Sequence, residues 1–175
     1  CNSFSSYMKR VLIIFILIFL FPLALFANPF FDRSQASLPK IKINVLTNKS
    51  VIFLGEQFKF YMSILIEEGW HIYSLSPVKG SELLATQILI DENVFQEQEG
   101  WREPEPELIK DEAVGEIVKG HKGNVEFSRT YNVPVDAEAG KYFIKGRLLY
   151  RACDNQICTL EQEFPFNTTL QVSRK

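Results

Sequence analysis

Hydrophobic and polar residues alternate along most of this chain. Ile41, Ile43 and Val45 are separated by Lys42 and Asn44, a period of two that predicts a strand with one buried face. After a turn at 47–50, Phe58, Phe60, Met62, Ile64 and Ile66 alternate with Lys59, Tyr61 and Ser63. Thr86 to Ile90 is a short apolar strand, and Val125, Phe127, Arg129, Tyr131 and Val133 alternate again. Tyr142, Ile144, Leu148 and Tyr150 mark one face of a long strand, with Gly146 predicted as a bulge or a close approach. Phe164, Phe166, Thr168, Leu170 and Val172 form the last strand, and Pro165 predicts an edge. No sustained helical period follows residue 27. About seven short strands spaced by Gly, Pro and Asn turns predict an all-β chain folded as an antiparallel β-sandwich.

Two stretches break the pattern. Met8-Lys9-Arg10 precedes an apolar run from Val11 to Ala27, the arrangement of a helical signal peptide spanning 1–27, with 1–7 as an upstream extension. The alternative is an uncleaved inner-membrane anchor, because the run is at the lower limit for a span. Residues 28–39 read as a linker and 40–175 as the folded domain. The segment from Glu97 to Glu112 carries seven acids interleaved with Pro104 and Pro106, which predicts a solvated surface segment and neither helix nor inner strand. Its alternative is a docking surface. Gly115, Gly120 and Gly123 predict a hairpin or loop around His121.

Composition changes this picture only modestly. The 175 residues suffice for one domain with a sizeable core. Removal of 1–27 takes away Lys9 and Arg10 and no acid, leaving 17 basic residues against 21 acidic. A net acidic domain argues against nucleic acid as a partner. Asn48-Lys49-Ser50 and Asn167-Thr168-Thr169 match the glycosylation triplet, a pattern common by chance. No phosphate-binding glycine loop, Ser/His/Asp arrangement or haem-attachment motif is present, so hydrolase and kinase readings have no support.

The candidate chemistry lies in Tyr150-Arg151-Ala152-Cys153-Asp154-Asn155-Gln156-Ile157-Cys158. The only other cysteine, Cys1, precedes the apolar run. A bridge between Cys153 and Cys158 closes a six-residue loop and stabilises by only about 2 kcal/mol, little for a staple. Such a pair, exported to an oxidising compartment, is either an accessible redox switch or a structural disulfide. Arg151 favours a thiolate at Cys153, whereas Asp154, Asp111 and Glu112 oppose it. The acidic loop is expected to keep the thiols protonated until a partner displaces it. A Cys₂His₂ metal set with His71 and His121 is disfavoured, since the two histidines lack ligand spacing, and neither a metal nor a cofactor is expected. His71 reads first as a packing residue and second as an acid–base group.

Gly69-Trp70-His71-Ile72-Tyr73, the Val133-Pro134 and Ala139-Gly140-Lys141-Tyr142 turn, and Leu149-Tyr150-Arg151-Ala152-Cys153 with Cys158 together resemble the N-terminal domain of the thiol:disulfide interchange protein DsbD. The likeness runs from about Lys40 to Val172. It implies an immunoglobulin-like sandwich in the bacterial periplasm, monomeric once mature. In that role it takes electrons from a membrane-embedded donor and passes them to periplasmic thioredoxin-fold proteins, as a protein-disulfide reductase does in cytochrome c biogenesis. Cys153 and Cys158 are then the redox pair, with Cys158 forming mixed disulfides, and His71 and Tyr73 pack beside them. Asp111-Glu112-Ala113-Val114-Gly115 resembles a cap loop over the pair. Ala113 stands where a shielding Phe can occur, which moves the shield to Val114 or Ile117. Thr159-Leu160 replaces the prolines that usually follow the second cysteine. The competing class is a non-catalytic binding or assembly module with a structural disulfide.

Overall fold

The computed structural model describes residues 39–175; the expected signal peptide and nearly all of the expected linker lie outside the described residues. The described chain is all-β, an immunoglobulin-like sandwich whose one helical turn is the 3-10 segment Glu82–Leu84. One sheet has the order β1-β3-β9-β6, from β1 (Ile41–Thr47), β3 (Gln57–Ile66), β9 (Asn124–Asn132) and β6 (Gln96–Glu97). The second has the order β2-β12-β10-β5, from β2 (Val51–Phe53), β12 (Gln162–Ser173), β10 (Gly140–Tyr150) and β5 (Gln87–Ile90). The third and smallest has the order β11-β4-β8-β7, from β11 (Ala152–Cys153), β4 (His71–Tyr73), β8 (Glu116–His121) and β7 (Glu107–Asp111).

The alternation read from the sequence is what builds the core. In β3, Phe58, Phe60, Met62, Ile64 and Ile66 are all buried, facing inward at every second position. They meet Ile144 and Leu148 of β10 and Phe166, Leu170 and Val172 of β12 in one cluster. The Phe60 and Phe166 rings, 5.7 Å apart, join the first two sheets.

Two expectations about the strands are revised and a third, at Gly146, resolves to one of its two alternatives. Pro165 lies in β12, which is flanked by both β10 and β2 and is therefore an inner strand. The proline is tolerated because β2 pairs only with Gln171–Ser173, so the side of Pro165 away from β10 has no ladder partner there. That β2–β12 pair is parallel, an exception in an otherwise antiparallel molecule. Gly146 is a close approach and no bulge: the β10–β12 register runs unbroken past it, and a Cβ there would stand 2.2 Å from the Leu89 carbonyl oxygen.

The acidic segment is more structured than its charge suggests. Arg102 bridges Ser128 of β9, and Arg129 pairs with Glu97 at 2.6 Å. Glu107–Asp111 is the edge strand of the third sheet. His121 is a buried residue of β8 instead of a loop histidine. The hairpin turn falls earlier, at 112–115, where Gly115 takes a φ of +79°.

Candidate redox site

Cys153 and Cys158 form a disulfide with their Cα atoms 4.1 Å apart. Asp154 shapes the loop between them. Its Oδ1 accepts from the backbone N–H of Gln156 and of Ile157, an Asx turn that explains an acid directly after the first cysteine. Thr159 closes the loop from the other side: its N–H donates to the Ala152 carbonyl, and its hydroxyl accepts from the Ala152 N–H. A proline at 159 has neither group, so here a hydrogen-bonded clamp occupies the place of a rigid ring.

The third sheet presents this loop. Cys153 pairs with His71 across the β11–β4 ladder. His71 and Tyr73, two residues apart, share one face of β4, while Ile72 between them enters the main core. Tyr73, Ile109, Val118 and Cys153 form a second, small cluster, with Leu84 and Cys158 packed on it. Gly120, opposite Tyr73, lets β8 lie close against β4, since a Cβ there would stand 2.7 Å from the Ile72 carbonyl oxygen.

A hydrogen-bonded cluster lies under the disulfide. The Tyr73 hydroxyl donates to Asp111 Oδ2 at 2.7 Å and lies 2.9 Å from Cys153 Sγ and 3.6 Å from Cys158 Sγ. His71 Nε2 is 3.1 Å from the same carboxylate oxygen. Asp111 Oδ1 accepts from the N–H of Ala113 and of Val114, which pins the hairpin turn. Burial pushes the His71 imidazole below its ordinary value, against the pull of Asp111. Burial, with the Asp111 hydrogen bond and charge, pushes the Tyr73 phenol well up, so it stays a neutral hydroxyl.

The expected site residues separate into distinct roles. Asp111 is buried and reaches the sulfurs through Tyr73, whereas Glu112 is exposed and pairs with Lys110 at 3.0 Å. Val114 and Gly115 are exposed and Ala113 half-buried in the turn. Ile117 is 61% exposed, opposite Lys110 on the outer face of the hairpin, and contributes no shield. Arg151 acts by charge on Tyr73, and its Nε is buried without a hydrogen-bond partner among the described residues. His121 is drawn away to Glu103 at 2.8 Å. Glu103 also accepts from Ser74 Oγ and from the Leu75 N–H. Burial opposes ionisation of Glu103, but these three donors overcome it and hold the carboxyl below its ordinary range. Leu84, Ile109, Val118 and Glu103 are members of the site's surroundings that the sequence reading did not single out. Alternation in Leu108-Ile109-Lys110-Asp111 was the available signal, because it puts Ile109 and Asp111 on one face.

Residues 44–169 match the family described as "Thiol:disulfide interchange protein DsbD, N-terminal". The chain belongs to the DsbD N-terminal family. The family works in thiol–disulfide exchange, and this member carries its cysteine pair in bonded form. Among solved structures, the N-terminal periplasmic domain of ScsB from Proteus mirabilis is similar at a TM-score of 0.54 and 20% identity, over 73% of this chain and 45% of that one. The chain thus spans less than half the length of that relative, and at this identity the likeness concerns the fold. Two further similarities are looser and bear on nothing functional. Spo0M, a sporulation control protein from Bacillus subtilis, aligns at a TM-score of 0.34 and 11% identity, over 79% of this chain and 51% of that one. A family 123 glycoside hydrolase from Clostridium perfringens aligns at 0.32 and 10%, over 77% and 28%. No curated protein sequence matches the chain.

Proposed function

We propose that this DsbD N-terminal domain is a periplasmic electron relay that works through the Cys153–Cys158 pair. In the reduced domain the Cys158 thiolate attacks a disulfide of a thioredoxin-fold partner, which leaves as a thiolate, and a mixed disulfide forms. Cys153 then attacks the Cys158 sulfur, releasing the partner's second thiol and restoring the intramolecular bridge. A membrane-embedded thiol–disulfide donor returns two electrons to that bridge.

The observation that carries this reading is the asymmetry of the pair. Cys153 is fully buried beneath Tyr73, whereas Cys158 is partly exposed beside Ile157, which is 40% exposed. An outer sulfur that meets a partner and an inner sulfur that resolves the complex is the division of labour that exchange requires. Export to the periplasm fits the apolar run at 11–27. Among the described residues no helix is long and apolar enough to cross a membrane.

A redox titration against glutathione tests the proposal. A relay bridge opens within the range of cellular thiol buffers, whereas a bridge more reducing than about −300 mV identifies a staple and overturns the reading. Cys153→Ala protein should also trap a thioredoxin-fold partner as a mixed disulfide through Cys158, and Cys158→Ala protein should not.

A further inference from the structure

Opening the disulfide frees two sulfurs beside two groups that already face one another. A ring nitrogen of His71, a carboxylate oxygen of Asp111 and Cys153 Sγ lie within 4.8 Å of one another, all on residues that are buried. Cys158 Sγ is bonded to Cys153 Sγ at the edge of this group and becomes free to swing into it once the bridge opens. We propose that the reduced pair, with His71 and Asp111, is a binding site for a borderline divalent cation of the Zn²⁺ class, formed only when the bridge is open.

The donor set suits that class. Two thiolates, an imidazole and a carboxylate make a four-coordinate tetrahedral set for Zn²⁺, with Zn–N and Zn–O near 2.0–2.2 Å and Zn–S near 2.3 Å. Those lengths place the imidazole nitrogen and the carboxylate oxygen of a tetrahedral site about 3.3 Å apart. His71 Nε2 and Asp111 Oδ2 already stand at 3.1 Å, joined by a hydrogen bond that the cation would replace. The sulfurs must draw in, and reduction releases them to do so.

The outer contacts fit a metal site as well. Tyr73 bridges Asp111 and Cys153 through its hydroxyl, and the turn amides of Ala113 and Val114 hold the second Asp111 oxygen. Hydrogen bonds of this kind orient ligands and set their basicity. A cleft whose lining includes His71, Ile109, Lys110, Lys122 and Asn155 adjoins the set at His71. Sequence spacing hid the set, because the second histidine of the domain, His121, is committed to Glu103, while Asp111 lies 40 residues from His71.

The step balances in protons. Binding releases one proton from each thiol, and the proton by which Nε2 donates to Asp111 in the metal-free site is exchanged for one on Nδ1, a change of tautomer with no net release, so that Nε2 can ligate. A metal-bound thiolate pair no longer attacks disulfides, so the cation and a partner disulfide compete for the same reduced state. The site itself requires only that the bridge be reducible.

The test uses protein reduced with a phosphine and desalted without oxygen, titrated with Co²⁺ as a spectroscopic probe and then Zn²⁺ against a chromophoric chelator. The expected result is one cation per reduced chain, with sulfur-to-cobalt charge transfer and tetrahedral visible bands, and no such binding to oxidised chain. His71→Ala and His71→Gln should each weaken Zn²⁺ binding by at least about tenfold. Asp111→Asn should do the same, with melting of the oxidised variants confirming that they fold. Wild-type affinity in the folded histidine variants would mean that the dithiol binds alone and would overturn the proposal, as would equal binding by the oxidised chain. Exchange of the metal-free reduced protein with a small disulfide is measured in parallel, so a failed relay and a failed metal site give different results.

Discussion

The hydroxyl of Tyr73 lies 2.9 Å from the sulfur of Cys153, inside the small apolar cluster that also holds Ile109 and Val118. The same oxygen donates to Asp111, so one phenol joins the buried carboxylate to the disulfide. Tyr73→Phe keeps the ring and removes the link. It should lower stability by about 1–3 kcal/mol, because Asp111 loses a donor it cannot replace with water. Urea denaturation of the oxidised protein measures the loss, and an unchanged midpoint would show that the hydroxyl is not needed.

Asp111 holds the hairpin turn as well as the cluster beneath the sulfurs. Asp111→Ala should therefore cost about 3 kcal/mol. It should also speed amide exchange at Ala113 and Val114 well beyond that of β3. Hydrogen exchange resolves the two effects, and protection that persists at the turn would contradict this role.

Acidification should weaken the domain in two stages. His71 has a folded-state value depressed below 6.5, so the unfolded chain binds the extra proton first and stability falls as pH drops below about 6.5. Glu103 is also depressed, from 4.5, so its contribution is complete above that pH and is lost as pH falls through its folded value. Denaturation midpoints measured across pH should fall twice. His71→Gln should flatten the upper stage and Glu103→Gln the lower one.

Gly146 accepts no side chain. A methyl group there would meet the Leu89 carbonyl and, at 2.7 Å, the Phe166 ring. Gly146→Ala should destabilise by about 1–3 kcal/mol through overpacking, read from the thermal midpoint. A neutral result would mean that β5 shifts freely.

Reduction of the bridge should cost only about 2 kcal/mol, the loop-closure contribution of a six-residue ring. Far-ultraviolet dichroism should be unchanged by reduction, since the main cluster of buried residues contains neither cysteine. Loss of β-structure on reduction would make the bridge a structural staple.

Strands whose two faces differ were legible in the sequence. In β3, β9, β10 and β12 the core residues recur every second position, and the burial patterns follow them. β2 has three residues, too few to display a period. β4 buries His71, Ile72 and Tyr73 alike, so there was no alternation to detect. The cysteine pair was readable because it stands alone after a long strand. The buried role of Asp111 was masked by the acids around it, which average to a solvated face although Asp111 follows Ile109 on the inward side. His121 was hidden similarly, by glycines that suggested a loop, one of which, Gly120, instead lets the strand lie close against the Ile72 carbonyl.

The cluster around Tyr73 and Cys153 is separate from the large one between the first two sheets. The two meet through Ile72 and Ala152, which adjoin Tyr73 and Cys153 in the chain and are buried in the larger cluster. The larger compartment acts as a stiff handle and the smaller as a jaw riveted to it at those two residues.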